Sequence, residues 1–140
     1  MDNSYLRIHG DRHGEFFVPH SRYTTVLRKD IEACPKLRIL ASSDAAGVYA
    51  VSTAKGKQIF IMGHSEYDAD TLKKEYLRDR LQGLPTALPY CYFPDDDQTQ
   101  NPPNLWRSHA NLLYSNWLNY FVYQATPYDI NAINGENLNG

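Results

Sequence analysis

The residues best placed to do chemistry are His64 and Glu66, in the run Ile59-Phe60-Ile61-Met62-Gly63-His64-Ser65-Glu66-Tyr67-Asp68. On an extended segment, residues two apart project to the same side, so imidazole and carboxylate can face one point in space. A carboxylate beside a histidine fixes its tautomer and stabilises the imidazolium that forms when the ring takes a proton. The chemistry on offer is general-base catalysis, the half of a triad that activates a nucleophile or an accepting hydroxyl. Gly63 lets the chain turn at the strand end, where α/β proteins place their sites. The same pattern also describes a solvated turn, so the pair alone leaves both accounts open.

Other reactive residues carry less. His9, His13, His20, His64 and His109 show no paired metal-ligand spacing, so no metal site is expected. His109, in Trp106-Arg107-Ser108-His109, reads as structural at a helix start. Asp95-Asp96-Asp97 reads as a solvated loop before it reads as a cation site. Cys34 and Cys91 offer neither a disulfide framework nor metal-site spacing, and both read as plain thiols. Arg78 follows Glu75 by three residues on one helix face, an ordinary surface pairing. Ser21 by itself is a turn serine.

The elements that must hold these groups come next. Residues 1–14 are polar, carry Gly10 and Gly14, and read as an irregular lead-in. Glu15-Phe16-Phe17-Val18-Pro19 is a short extended run stopped by proline. Strands are predicted over 37–42, 48–52 and 58–62, and the short Gly-bearing links between them predict antiparallel neighbours. The third is a continuous apolar run, which predicts burial on both faces. A helix is predicted from Asp68 and Asp70 to Gly83, with Leu72, Tyr76, Leu77 and Leu81 as its apolar stripe. Residues 84–103 hold five prolines and predict an extended segment with a packing or functional role. A last helix is predicted from near Pro103 to Thr126-Pro127, apolar nearly all round and so in need of cover on more than one side. Residues 131–140 read as a flexible tail.

The bulk numbers set limits on partners. The chain has 140 residues, a net charge of −2 and scattered basic residues, which argues against a nucleic-acid partner. No apolar stretch approaches the roughly 18 residues of a membrane span. The N-terminus lacks the basic and apolar regions of a secretory signal, and with two cysteines a cytoplasmic location is expected. Eleven tyrosines, mostly in the second half, suit a core edge, a pocket or an interface without deciding among them.

Several separated motifs, in order, resemble the C-terminal part of the homoserine O-succinyltransferase/O-acetyltransferase (homoserine transsuccinylase) family. They are Pro19-His20-Ser21-Arg22-Tyr23, Gly63-His64-Ser65-Glu66-Tyr67-Asp68, Asn104-Leu105-Trp106-Arg107-Ser108-His109-Ala110-Asn111-Leu112-Leu113, Asn116-Trp117-Leu118-Asn119-Tyr120 and Thr126-Pro127-Tyr128-Asp129-Ile130. The similarity covers about residues 15–130. It implies an α/β chain forming the C-terminal part of a class I glutamine amidotransferase-like (flavodoxin-like) fold, strands followed by two helices. It implies a Cys-His-Glu triad in which His64 is the general base and Glu66 orients it. Arg78 falls at a position implied to bind the amino-acid substrate, and Ser21 at one implied to contact it and influence its choice. The implied reaction is double displacement from acetyl-CoA or succinyl-CoA to the homoserine hydroxyl in methionine biosynthesis, with no bound cofactor.

The match departs from the family pattern at the nucleophile. The family's cysteine lies upstream of the matched region, and neither Cys34 nor Cys91 stands in its context. The chain is therefore expected to carry the His-Glu part of the site and to be inactive alone, with homoserine and acyl-CoA as substrates and a separate N-terminal half or a homo-oligomer as its company. A non-catalytic remnant or interaction module, and an acyltransferase acting on serine, are the competing accounts.

Overall fold

The computed structural model describes residues 2–10 and 15–124; the expected tail over 131–140 and the Thr126–Ile130 motif lie outside the described residues. The elements are β1 (Asp2–Gly10), β2 (Glu15–Arg22), α1 (Arg28–Glu32), β3 (Leu37–Ser43), β4 (Gly47–Thr53), β5 (Ile59–Ile61), α2 (Thr71–Leu81) and α3 (Arg107–Trp117). A π-turn over Leu118–Tyr123 extends α3. The architecture is α/β. Among the described residues the strands form one five-stranded sheet in the order β2-β1-β3-β4-β5, and each pairing is antiparallel.

The meander β3-β4-β5 follows the sequence closely. Its two turns use Gly47 and Gly56 at φ +72° and +68°, the left-handed region that glycine enters without a steric cost. β4 lies in the middle of the meander and is buried over five consecutive residues, Val48 to Ser52, as a strand covered on both faces must be. Val48 and Val51 pack with Ile31 of α1; Tyr49 and Ala50 pack with Val18 and Ala41.

Four expectations need correction. The lead-in over 1–14 is in part a strand: Asp2–Gly10 pairs with β2 from Asp2↔Arg22 to His9↔Glu15. The run Asp2-Asn3-Ser4-Tyr5-Leu6-Arg7-Ile8-His9-Gly10 has too little apolar–polar alternation to mark a strand. β2 in turn runs past Pro19 to Arg22. Proline is tolerated there because β2 is an edge strand whose outer side needs no ladder donor. The apolar run around Ile59–Ile61 is not buried on both faces. β5 is the other edge, and Phe60 and Ile61 remain 45% and 36% exposed. In α2, Leu72, Tyr76 and Asp79 are buried, whereas Leu77 and Leu81 face outward. At about 100° per residue, positions +4 and +7 from Leu72 return to its face and +5 and +9 do not.

The largest core cluster lies between α2, the start of α3 and the proline-rich segment: Leu72, Tyr76, Tyr92, Phe93 and Trp106, with Phe17, Tyr67 and Leu88 against it. The long segment over 84–103 thus has a packing role. Tyr92 reaches α2, where its hydroxyl donates to the Ala69 carbonyl (2.6 Å) and accepts from the Lys73 amide (3.1 Å). α3 starts four residues later than Pro103, with Asn104 Oδ1 accepting the Arg107 amide hydrogen (3.0 Å). Of its own residues only Ala110 is buried. Leu112, Trp117, Leu118, Tyr120, Phe121 and Tyr123 face solvent, so the all-round apolar helix has its cover on one side.

Candidate active site

The site sits where the two edges of the sheet meet. After β5 the chain leaves the ladder, and the Met62 amide donates to the Tyr49 carbonyl (2.8 Å). Two residues later the His64 amide donates to the Pro19 carbonyl of β2 (2.8 Å). Gly63 passes so close to β2 that a Cβ there would meet Val18 Cγ1 at 2.7 Å, His20 Nε2 at 3.0 Å and the Pro19 carbonyl at 3.1 Å. Close approach, and not turn geometry, is the reason for glycine at this position.

A turn over Ser65 and Glu66, in which the Tyr67 amide donates to the His64 carbonyl (3.3 Å), then sorts the side chains. Ser65 points inward, its hydroxyl 2.7 Å from the Tyr49 hydroxyl, both buried. His64 and Glu66 point outward together, Nδ1 to Oε1 at 2.8 Å. With Nδ1–H donating to the carboxylate, Nε2 carries the lone pair and can take a proton. The His64 side chain is about one-third exposed (35%), enough for a reactant to reach it. Tyr67 stacks on the imidazole, ring centroids 4.4 Å apart and planes 14° from parallel.

Tyr67 links one of the two remaining candidates, Ser21, to His64, and no contact among the described residues ties Arg78 to that pair. The Tyr67 hydroxyl donates to Glu75 Oε1 on α2 (2.8 Å), and the Ser21 hydroxyl approaches the same phenol. Burial, then the Glu75 carboxylate, raises the Tyr67 phenol well above its ordinary range, so it remains a donor. Arg78 lies one turn beyond Glu75, and the two do not pair. Its Nε and one terminal nitrogen both donate to Asp79 Oδ1 at 2.8 Å. Glu75 Oε2 and Asp79 Oδ2 are buried with no hydrogen-bond partner among the described residues. On this face of α2 the Arg78 guanidinium is open to solvent, whereas the two unpartnered carboxylate oxygens are shut off from it.

Beside Glu66 lies a cleft of about 260 Å³, lined in part by Asp68, Asn104, Arg107 and Tyr114. Neither cysteine lines it. Cys34 is half-buried after α1 and Cys91 is exposed beside Tyr90. His109 stacks on Phe16 (5.4 Å, 22°), consistent with a structural part at the helix start. Among the described residues no group of three or more His, Cys, Asp or Glu could hold a metal ion, and no helix is long and apolar enough to cross a membrane.

Sequence reasoning missed His20 and Tyr67. His20 is fully buried against Gly63 and Tyr49, and neither ring nitrogen has a partner among the described residues. Burial, then the charges of Arg22 and His64, pushes its pKa down from 6.5 to about 4. A neutral native imidazole that the unfolded chain protonates below 6.5 makes stability fall as pH drops from about 6.5 towards 4. The expected loss is on the order of 3 kcal/mol at the acid end. Urea unfolding at pH 7 and pH 4.5 measures it. His20→Leu is expected to flatten the difference, and an equal acid loss in that variant would remove His20 as the cause.

The α/β chain holds a carboxylate-paired imidazole just past the end of β5, an arrangement that general-base chemistry can use. A family model described as homoserine O-succinyltransferase matches residues 2–128, and the chain belongs to that family. Homoserine O-acetyltransferases from Clostridium novyi, Geobacillus sp. (strain WCH70) and Acetivibrio thermocellus are 58%, 60% and 56% identical to it over 115, 114 and 118 residues. These alignments take in 82%, 81% and 84% of this chain, and 38%, 38% and 39% of the relatives' lengths.

Proposed function

We propose that the chain supplies the base and amino-acid-binding part of a homoserine O-acyltransferase. The observation that carries this is the His64–Glu66 pair at 2.8 Å in a chain of this family. In the proposed reaction a cysteine thiolate, contributed by sequence outside this chain, attacks the thioester of an acyl-CoA. The thioacyl enzyme forms and CoA leaves as its thiolate. His64 Nε2 then takes the proton of the homoserine hydroxyl as that oxygen attacks the thioacyl carbonyl. The C–S bond breaks, O-acylhomoserine departs and the cysteine thiolate is restored. Glu66 holds the imidazole in the required tautomer. Arg78 takes the substrate carboxylate, and Ser21 contacts the substrate.

The relatives' names favour an acetyl over a succinyl group, so acetyl-CoA is the proposed donor, and methionine biosynthesis is the proposed setting. The same reading brings the class I glutamine amidotransferase-like fold for the assembled protein, with this sheet as its C-terminal part, and a cytoplasmic site of action. The chain alone is then inactive. The test joins it to the cysteine-bearing part of a relative and measures acyl transfer to homoserine and to serine. Homoserine acylation absent from either part alone is the expected result. Transfer to serine alone would replace the substrate reading, and no transfer by a folded assembly would leave the chain an interaction module.

A further inference from the structure

Resting on that reading, we propose that Tyr67 is a positioning residue that fixes the plane of the His64 base and thereby aims its Nε2. A single hydrogen bond from Nδ1 to Glu66 leaves the ring free to swing about that contact, and the Glu66 side chain is itself 57% exposed. The flat stack on Tyr67 supplies the second restraint, and Tyr67 is itself held at its hydroxyl and at its main chain. Its hydroxyl donates to Glu75 of α2, Ser21 of β2 approaches the same oxygen, and its backbone carbonyl accepts from Trp106 Nε1 (2.9 Å) in the largest core cluster. The imidazole plane is thus referred to three elements of the fold, whereas Glu66 refers it to the local loop.

The prediction separates the ring from its hydroxyl. In the assembled enzyme Tyr67→Leu, which removes the stack, is expected to lower kcat about 10²-fold with KM for the amino acid within about twofold, the effect of an ångström-scale misplacement of a reacting group. Tyr67→Phe keeps the ring and loosens its tether, and is expected to lower kcat by less than about tenfold. A residue with a merely structural part would change the melting temperature and leave kcat of the folded fraction intact; one that touches substrate would raise KM.

A second readout needs no activity. In the 140-residue chain the ring protons of His64, assigned by their loss in His64→Ala, are expected to be shifted by the stacked phenol ring current, to keep that shift in Tyr67→Phe and to lose it in Tyr67→Leu. Unchanged His64 resonances in Tyr67→Leu overturn the proposal, as does unchanged kcat. If Tyr67→Leu does not fold, a His64 ring shift absent from the unsubstituted chain and from Tyr67→Phe overturns it equally. If the assembly transfers no acyl group while the resonances behave as expected, the acyltransferase reading fails and the positioning of His64 by Tyr67 stands.

Discussion

His64→Ala, in an assembly that also carries the cysteine, is expected to reduce acyl transfer by about three to six orders of magnitude, the range seen when a triad loses its base. The size follows from the absence of a substitute. His20 is buried and neutral with its pKa near 4, and His109 is stacked on Phe16, so among the described side chains no second imidazole is placed to take the hydroxyl proton. Glu66→Gln keeps a hydrogen-bonding partner for Nδ1 but permits the other tautomer, and is expected to leave a slow residual rate. Single-turnover assays of each variant with homoserine make the comparison. Turnover by His64→Ala equal to that of the unsubstituted assembly would remove His64 from the mechanism.

The second large effect concerns stability. Trp106→Ala is expected to cost about 3–5 kcal/mol, the usual range for deleting a buried tryptophan. Trp106 is 1% exposed, sits against Leu72, Tyr76, Tyr92 and Phe93, and donates to the Tyr67 carbonyl at 2.9 Å. Against a total stability of about 5–15 kcal/mol for a domain, that loss is enough to unfold a marginal chain. Trp106→Phe retains part of the packing without the donor and is expected to lose less than half as much. Urea denaturation followed by circular dichroism measures both. A midpoint for Trp106→Ala within error of the unsubstituted chain would show that the cluster does not hold α2 to α3.

The sequence exposed those parts of the fold and site that depend on local signals. The His-x-Glu pair was legible because its partners are two residues apart, although a turn and not an extended segment brings them together, and β3-β4-β5 because glycine marks its turns. Tyr67 was not legible as a partner of His64. Stacking depends on the path the chain takes after Glu66, and the phenol's tether depends on Glu75 and Ser21, which are distant in sequence. His20 looked like one of five scattered histidines, since burial without a partner leaves no pattern. The stripe in α2 misled because apolar type was read without the angle: Leu77 and Leu81 are apolar but turned away. β5 misled in a related way. An apolar run records what a strand will tolerate against it, and the described sheet ends there with Phe60 and Ile61 half covered.

The hydrogen bond from the His64 amide to the Pro19 carbonyl bears on the order of folding. It closes the stretch from residue 19 to residue 64, and such non-local contacts form only after the loop entropy of the intervening chain has been overcome. The meander can assemble from neighbouring strands first. The backbone at His64 is fixed to β2 only when β2 lies beside the end of β5. If His64 is the base proposed above, a chain in which β2 has not docked lacks one of the ties that place it.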